Sequence, residues 1–426
     1  TLQKEIKLVL SFSSKNKMDE KHYSDFKSDL RSKFPDFLKI ISEIEKLTSI
    51  KDMPKYIDKK RKEMEKTGKI TASLETIVVT KALEVYVNEH QRLPIGSRAE
   101  ESLKSIAMKY LESMSQDIMK NLEKDKPRML REHRKIQDEF EDRLYKRWKE
   151  PLDSLESLIV ICLESGEDKK RKLSKGKNIT NQKKASLIKI HARTVQISYE
   201  ILALIRGGFA DGAHARWRSL HELAIITFFL RDNSDEVSER YLAHNTMKKF
   251  KESENYQKHH KALGYPSMTK RELDVLKKEH DRLLQKYGSE FEYGNGFEWI
   301  PKTILPKRNF RSLEERAKLD KFHPFYRWAS DSVHGGSKGL HRLGLMNDSQ
   351  NQILAAGPTN YGFADPIHST AISLSHATSN LLLLEPDFED ILIMKVIQKY
   401  IKEVGEKALK VQKKLEEEHR SFMKST

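Results

Sequence analysis

Two segments of the sequence hold residue types that could bind phosphate and transfer protons. Residues 325–336 read FYRWASDSVHGG, in which Arg327 and His334 are seven positions apart. Seven residues make nearly two turns of an α-helix, so both side chains should project from one face, with Ser330 between them. A guanidinium binds phosphate oxygens through paired hydrogen bonds, and an imidazole transfers protons near neutral pH. The spacing therefore indicates a phosphate-handling pair.

The same pair also has a structural interpretation. Gly335 and Gly336 should end the helix and place His334 at its C-terminus, where an imidazole can cap the last carbonyl groups. An Arg and a His at this spacing occur frequently by chance. A capping histidine beside a surface arginine therefore stays open as an alternative.

The second segment covers residues 210–231 and reads ADGAHARWRSLHELAIITFFLR. Arg218 and Glu222 are four residues apart and share a helix face. An exposed pair of this kind contributes only about 0.2–0.5 kcal/mol. The continuation of the helix is too apolar to be exposed, however. If the two charges are buried, they must be paired or face a cleft.

Metal and cofactor motifs are not evident in the sequence. Cys162 is the single cysteine, which excludes an internal disulfide and any Cys-x2-Cys zinc spacing. His368 and His376 fall on one predicted helix, but no carboxylates accompany them at ligand spacing. The glycine-rich turn at 293–297 has no strand before it and no P-loop Lys-Ser after it. We therefore expect neither a metal nor a cofactor.

The elements that must position both segments are predicted to be helices. Apolar residues repeat at helical spacing along almost all of the 426 residues. The predicted class is all-α, with short strands allowed only within 335–364. Helices are predicted over 186–231, broken at Gly207 and Gly208, and over 322–334 and 366–384. Their apolar surface is too large to expose, so 186–231 and 322–384 should pack as one bundle.

Composition divides the chain into three predicted parts. Residues 1–166 form a charged helical domain for sensing, regulation or RNA recognition, in which Pro151 and Gly166 should bound a short apolar helix. Residues 167–184 form a basic linker, because positions 169–184 carry eight cations and no acid. Residues 185–426 form a second helical domain that ends in a long helix.

Charge and hydropathy limit the expected partners and cellular location of the protein. The net charge is +16, and residues 301–350 hold ten cations against five acids. A basic surface attracts phosphate backbones, but it also occurs in proteins that bind none. Apolar runs such as 158–163 and 381–384 are far shorter than the ~20 residues that span a bilayer. The first residues show no signal-peptide pattern, so we expect a soluble, cytoplasmic protein without a membrane partner.

The two segments also carry a resemblance. RWRSLHELAI (216–225) and YRWASDSVHGG (326–336) resemble a bacterial family designated domain of unknown function 5677, over roughly residues 185–385. Separately, Arg-x6-His near a helix end is similar to the Arg-x4-6-His signature of the HEPN superfamily. That superfamily consists of small helical bundles that usually dimerise. Many of its members are metal-independent ribonucleases that act as toxins or in antiviral defence.

The HEPN resemblance implies a metal-independent endoribonuclease. His334 would take the proton of a ribose 2′-OH or deliver one to the leaving 5′-oxygen, and Arg327 would stabilise charge on the phosphate. Ser330 would orient either group, and Arg218 and Glu222 would complete or brace the pocket. The implied partners are RNA, a second copy of the chain, and an antitoxin or defence-system protein. The implied substrate contacts are His221, Arg216 and Lys338.

A non-enzymatic function remains the alternative. In that case Arg218–Glu222 and Ser330–His334 form a buried polar network that joins the helices of an interaction or regulatory module. An enzyme should keep its stability but lose activity when Arg327 or His334 is replaced by Ala. A network should lose about 1–3 kcal/mol of stability when one partner of a buried pair is removed.

Overall fold

In a computed structural model, the protein is described over residues 97–175, 179–331, 333 and 356–425. These residues form α-helices and contain no strand, so the predicted all-α class is confirmed. Two short 3₁₀ helices, Ser289–Phe291 and Asp320–Phe322, lie between them. The helices predicted before residue 97 lie outside the described residues. The α-helices are α1 (Ser97–Ser174), α2 (Gln182–Arg206), α3 (Ala210–Asp232), α4 (Asp235–His259), α5 (Lys270–Tyr287), α6 (Phe310–Arg316), α7 (His323–Asp331), α8 (Ala364–Leu382) and α9 (Phe388–Ser425).

The chain divides into two compact units at a different place from the predicted boundary after residue 166. The units are Thr1–Pro127 and Arg128–Thr426. The reason for the difference is the apolar face of α1 beyond residue 140. Leu144, Trp148 and Leu152 on this face are completely or almost completely buried in the core of the second unit. The separate roles expected for the two predicted domains remain predictions.

Pro151 and Gly166 were expected to bound a short helix, but both lie inside α1. A proline within a helix removes one backbone hydrogen bond and costs about 3 kcal/mol. Pro151 is buried, and the packing of this face against the core offsets that cost. Gly166 has a different role, because a Cβ atom there would lie 2.1 Å from Cε1 of His191. The missing side chain lets α1 pass close to α2.

The basic segment predicted as a linker is also partly helical, since α1 continues to Ser174 and α2 begins at Gln182. Lys169 is 1% exposed. Its Nζ donates to Asp390 Oδ2 at 2.6 Å and to the Glu385 carbonyl at 2.9 Å. Lys172 donates to Glu389 at 2.7 Å. Acidic residues near the α8–α9 turn therefore neutralise these two cations. The linker prediction considered only the repulsion between neighbouring cations, and these acidic partners lie far away along the chain.

The first core of the second unit is formed by α1, α2, α3, α8 and α9. Trp217 lies at its centre, and its Nε1 donates to the Ser369 carbonyl and to Ser373 Oγ, both at 2.9 Å. Gly208 joins α2 to α3 at a φ of +86°, where a Cβ atom would lie 2.5 Å from Pro358. Helix α7 also packs on α3. The described parts of 186–231 and 322–384 thus form one bundle, as predicted.

A second core holds α6 in place beside α3. It combines the C-terminal half of α3 with α4, α5, α6 and the connection between α5 and α6. Trp299 in that connection makes edge contacts with Phe229 and Tyr241. Asn309 caps α6 by accepting from the Ser312 backbone N–H at 2.9 Å. Over the described residues, no helix combines the length and apolar character needed to cross a membrane.

Candidate functional site

Arg218, Glu222 and Tyr326 form a cluster that joins α3 to α7, which we call the α3–α7 cluster. Arg218 Nε lies 3.1 Å from Glu222 Oε1, and the Tyr326 hydroxyl donates to the same oxygen at 2.6 Å. The guanidinium of Arg218 also stacks on the Tyr326 ring at 4.9 Å. Burial and the bond to Glu222 raise the pKa of Tyr326, so its hydroxyl stays protonated and donates. The structure therefore links both sequence segments through one polar contact.

A second cluster, the Glu314 triad, consists of His221, Glu314 and His323. Glu314 has no exposed surface. Its Oε1 lies 3.1 Å from His221 Nε2, and its Oε2 lies 2.6 Å from His323 Nδ1. An ionised carboxylate only accepts hydrogen bonds, so we assign a proton to each of these ring nitrogens. The triad thus connects α3, α6 and α7 through a buried carboxylate.

The two histidines of the triad differ in their access to solvent. The His221 side chain is 2% exposed, whereas that of His323 is 19% exposed. His221 stacks on Trp217, with ring centroids 5.1 Å apart, and Trp217 in turn stacks on His214. His221 therefore faces the core and holds Glu314, which differs from the substrate contact expected of it. His323 is the member that reaches the surface.

Arg327 lies on α7 four residues after His323, and so on the same helix face. It is exposed, and its side chain is open to a ligand. Ser330 Oγ donates to the Tyr326 carbonyl at 2.8 Å within the helix. His334 and Lys338 lie outside the described residues. The predicted pairing of Arg327 with His334 is thus still a prediction.

Arg216 has partners other than those of Arg218. Its Nε donates to Glu200 on α2, and its Nη1 donates to Ser219 at 3.2 Å. The contact with Glu200 holds α3 against α2. The substrate role expected for Arg216 is therefore not supported by its position, while Arg218 contacts α7 directly.

Three other buried titratable groups of the second unit, Cys162, His191 and His376, favour their neutral forms. Burial raises the pKa of the Cys162 thiol to about 12, which makes it a poor nucleophile. Burial also lowers the pKa of His191 and of His376 to about 4. Over the described residues, no three His, Cys, Asp or Glu side chains converge as metal ligands would. The chemistry available here is therefore that of Arg327 and the Glu314 triad.

Sequence reasoning missed Glu314, His323 and Tyr326. Glu314 is one of several charged residues in the run RSLEERAK, and nothing local distinguishes it from its exposed neighbour Glu315. His323 and Arg327 are four residues apart, and this spacing could have indicated a shared face. Tyr326 lies within the segment that was singled out, but its partner Glu222 is about a hundred residues away along the chain.

Comparison with known proteins gives one match. No curated protein and no solved structure matches the chain. Residues 184–352 match the model of a family whose description is "family of unknown function". The match contains nearly all of α2 and the whole of α3 to α7, and so both clusters described above. Residues 184–352 are therefore similar to the family of unknown function DUF5677.

Proposed function

We propose that this protein is a metal-independent endoribonuclease of the HEPN type. The observation that carries the proposal is the Glu314 triad, which presents His323 at the surface one helical turn before Arg327. A proton-transfer histidine works best when a third group fixes its orientation. Glu314 binds Nδ1 of His323 and leaves Nε2 for a substrate. Arg327 on the same face can bind the phosphate at which the reaction occurs.

RNA transesterification needs two proton transfers and one site of charge stabilisation. A base removes the proton of the ribose 2′-OH, and the 2′-oxygen attacks phosphorus. The bond from phosphorus to the 5′-oxygen breaks, and an acid protonates that oxygen. The products are a 2′,3′-cyclic phosphate and a 5′-hydroxyl. We assign the two proton transfers to His323 and His334, and the stabilisation of phosphate charge to Arg327.

The sequence spacing is consistent with this division of roles. His323 and Arg327 are four residues apart on α7, about one helical turn, and so share a face. His334 follows Arg327 by seven positions in the sequence. The α3–α7 cluster acts as a brace in this scheme, because Tyr326 and Glu222 fix the rotation of α7 about its axis. Arg218 and Glu222 are therefore positioning residues.

The HEPN resemblance also suggests the biological setting. We propose that the enzyme is a toxin or an antiviral defence effector. It would work as a homodimer and would be restrained by an antitoxin or another defence protein. RNA is the proposed substrate, and the net charge of +16 favours such a polyanion.

Incubation of the purified full chain with total cellular RNA in EDTA tests the proposal. His323→Ala and His334→Ala should each reduce cleavage by about 10²–10⁴-fold, and the wild type should leave 2′,3′-cyclic phosphate ends. His259→Ala is the matched control, because His259 is exposed at the end of α4. Identical RNA patterns for the wild type and both site variants, with candidate triggers included, would contradict it.

A non-enzymatic interaction module is the second candidate. The observation in its favour is that both clusters use buried or half-buried groups to join α3, α6 and α7. Arg327 separates the two candidates, since it is exposed. A ribonuclease should lose activity in Arg327→Ala with an unchanged melting temperature. A module should show no RNA cleavage and should lose stability only when the clusters themselves are altered.

A further inference from the structure

A groove between α1 and α9 is lined mainly by charged side chains. It has a volume of about 920 Å³. Its apolar lining includes Phe140, Leu144 and Val411, and Asn360 lines it as well. The Asn360 side chain is fixed there, because its Oδ1 accepts a hydrogen bond from Trp148 Nε1 at 2.9 Å. The groove is thus a shaped surface supported by the core.

The charge of the groove is unbalanced. Six cations and two acids line it. One acid, Glu418, is bound by Arg147, and Lys149 is bound by Asp153 outside the groove. Four exposed cations remain without an ion-pair partner among the described residues. They are Arg143 and Lys146 on the α1 wall, and Lys410 and Lys414 on the α9 wall.

These cations are placed so that one extended polyanion could contact both walls. Lys410 and Lys414 are one helical turn apart, and so are Arg143 and Lys146, which puts about 5–6 Å between the Cβ atoms of each pair. Grooves with this distribution of charge follow the backbone of single-stranded nucleic acids. The side chains offer charge but no exposed aromatic platform, so base identity should matter little.

We propose that this groove binds the phosphate backbone of single-stranded RNA. The choice of RNA rests on the proposed function, since transesterification requires a ribose 2′-OH. The groove supplies affinity that does not depend on sequence, whereas His323 and Arg327 act at the phosphate that is cleaved. The contribution of the groove to RNA affinity should decrease as the salt concentration rises.

Fluorescence anisotropy with a short 2′-O-methyl RNA of mixed sequence tests the proposal with the wild-type full chain. The methyl group blocks cleavage, so binding is measured independently of catalysis. For single strands, the slope of log affinity against log salt changes by about 0.7 for each phosphate contact. The triple variant Arg143→Gln, Lys410→Gln, Lys414→Gln should therefore reduce the magnitude of the slope by about 2 and weaken binding roughly tenfold or more.

A second triple variant provides the matched control. Lys270, Arg271 and Lys278 are exposed cations on α5. Changing these three to Gln removes the same net charge outside the groove. It should leave both affinity and salt slope close to those of the wild type. Melting temperatures of all three proteins establish that folding is unchanged.

Each outcome decides the matter. Equal losses in both triple variants would overturn the proposal, because they would mean that only net charge matters. Equal or tighter groove-dependent binding of duplex DNA or of an acidic peptide would overturn the assignment to RNA. If the groove variant binds weakly while no protein cleaves unmodified RNA, the groove proposal stands and the ribonuclease proposal fails. If the wild type cleaves RNA and the groove variant cleaves it with the same KM, the groove proposal fails alone.

Discussion

Glu314 Oε2 lies 2.6 Å from His323 Nδ1, and the carboxylate that makes this contact has no surface in water. A buried charge without partners would cost several kcal/mol, so the two imidazoles are a condition for the folded arrangement. The contact also fixes the side-chain orientation of His323. Glu314 therefore contributes to the stability of the fold and also determines the direction in which Nε2 of His323 points.

We expect Glu314→Gln to lower the free energy of unfolding by about 1–3 kcal/mol, because the amide cannot accept from both imidazoles as the carboxylate does. Urea unfolding monitored by circular dichroism measures the change. Glu315→Gln is the control, since Glu315 is exposed and forms a surface ion pair with Arg311 at 3.0 Å. Its effect should stay within about 0.5 kcal/mol. Equal effects of the two substitutions would show that Glu314 is not the buried anchor described here.

A double-mutant cycle tests the α3–α7 cluster. Tyr326→Phe removes the hydroxyl that donates to Glu222 and should cost about 0.5–1.5 kcal/mol. Glu222→Gln should cost a similar amount, and the double variant should cost less than the sum of the two, because the residues share one bond. Thermal or urea unfolding of the four proteins provides the coupling energy. Strict additivity would mean that the two side chains do not interact in solution.

The second unit should lose stability in mild acid. Burial lowers the pKa of His191, His214, His244 and His376 to about 4, while an unfolded chain binds these protons near pH 6.5. The unfolded state therefore binds more protons than the native state between these values. Stability is complete above about pH 6.5 and falls as the pH approaches 4, by up to about 1.4 kcal/mol per pH unit for each histidine.

Urea unfolding at several pH values measures this dependence. His376→Gln removes one titrating group and should make the decline with falling pH less steep, although its starting stability will also differ. Besides burial, His221 and Lys321 lower the pKa of His376. A pH dependence unchanged by this substitution would contradict the predicted contribution of His376.

Two glycines should respond in opposite ways to replacement by alanine. A Cβ atom at Gly166 would lie 2.1 Å from the His191 ring, so Gly166→Ala must separate α1 from α2 or displace the ring. At Gly212, within α3, the nearest atom would be Leu204 Cδ2 at 3.5 Å, an ordinary contact. Gly212→Ala should therefore stabilise by about 0.5–1 kcal/mol through helix propensity. Gly166→Ala should destabilise, by about 1–3 kcal/mol. Melting temperatures that rise for both would contradict the close approach of α1 and α2.

The parts of the fold that follow from local pattern were predictable from the sequence. The break between α2 and α3 falls at Gly207 and Gly208, where a positive φ at Gly208 suits only glycine well. The helices predicted over 322–334 and 366–384 agree to within a few residues with α7 and α8. Pro151 and Gly166 misled the prediction, because packing against distant segments outweighs their local preference in α1.

The candidate site was predictable only in part. Arg218 and Glu222 were found because their spacing on one helix is visible in the sequence. Glu314 could not be found in this way, since its partners lie on two other helices and its burial depends on the second core. The substrate contact expected of His221 differs from the structure for the same reason. Helical spacing defines a face, but only tertiary packing decides whether that face meets solvent or the interior.

The buried ion pair between Lys169 and Asp390 shows how tertiary packing constrains the evolution of the sequence. Their side chains are 2% and 4% exposed. Losing either one would leave a lone buried charge, at a cost of about 3–5 kcal/mol, whereas exchanging both for apolar residues of similar volume could be neutral. The two positions should therefore change together among relatives of this chain. If a relative has lost only Lys169 or only Asp390, we expect its α1 to end before position 169 or its α9 to begin after position 390.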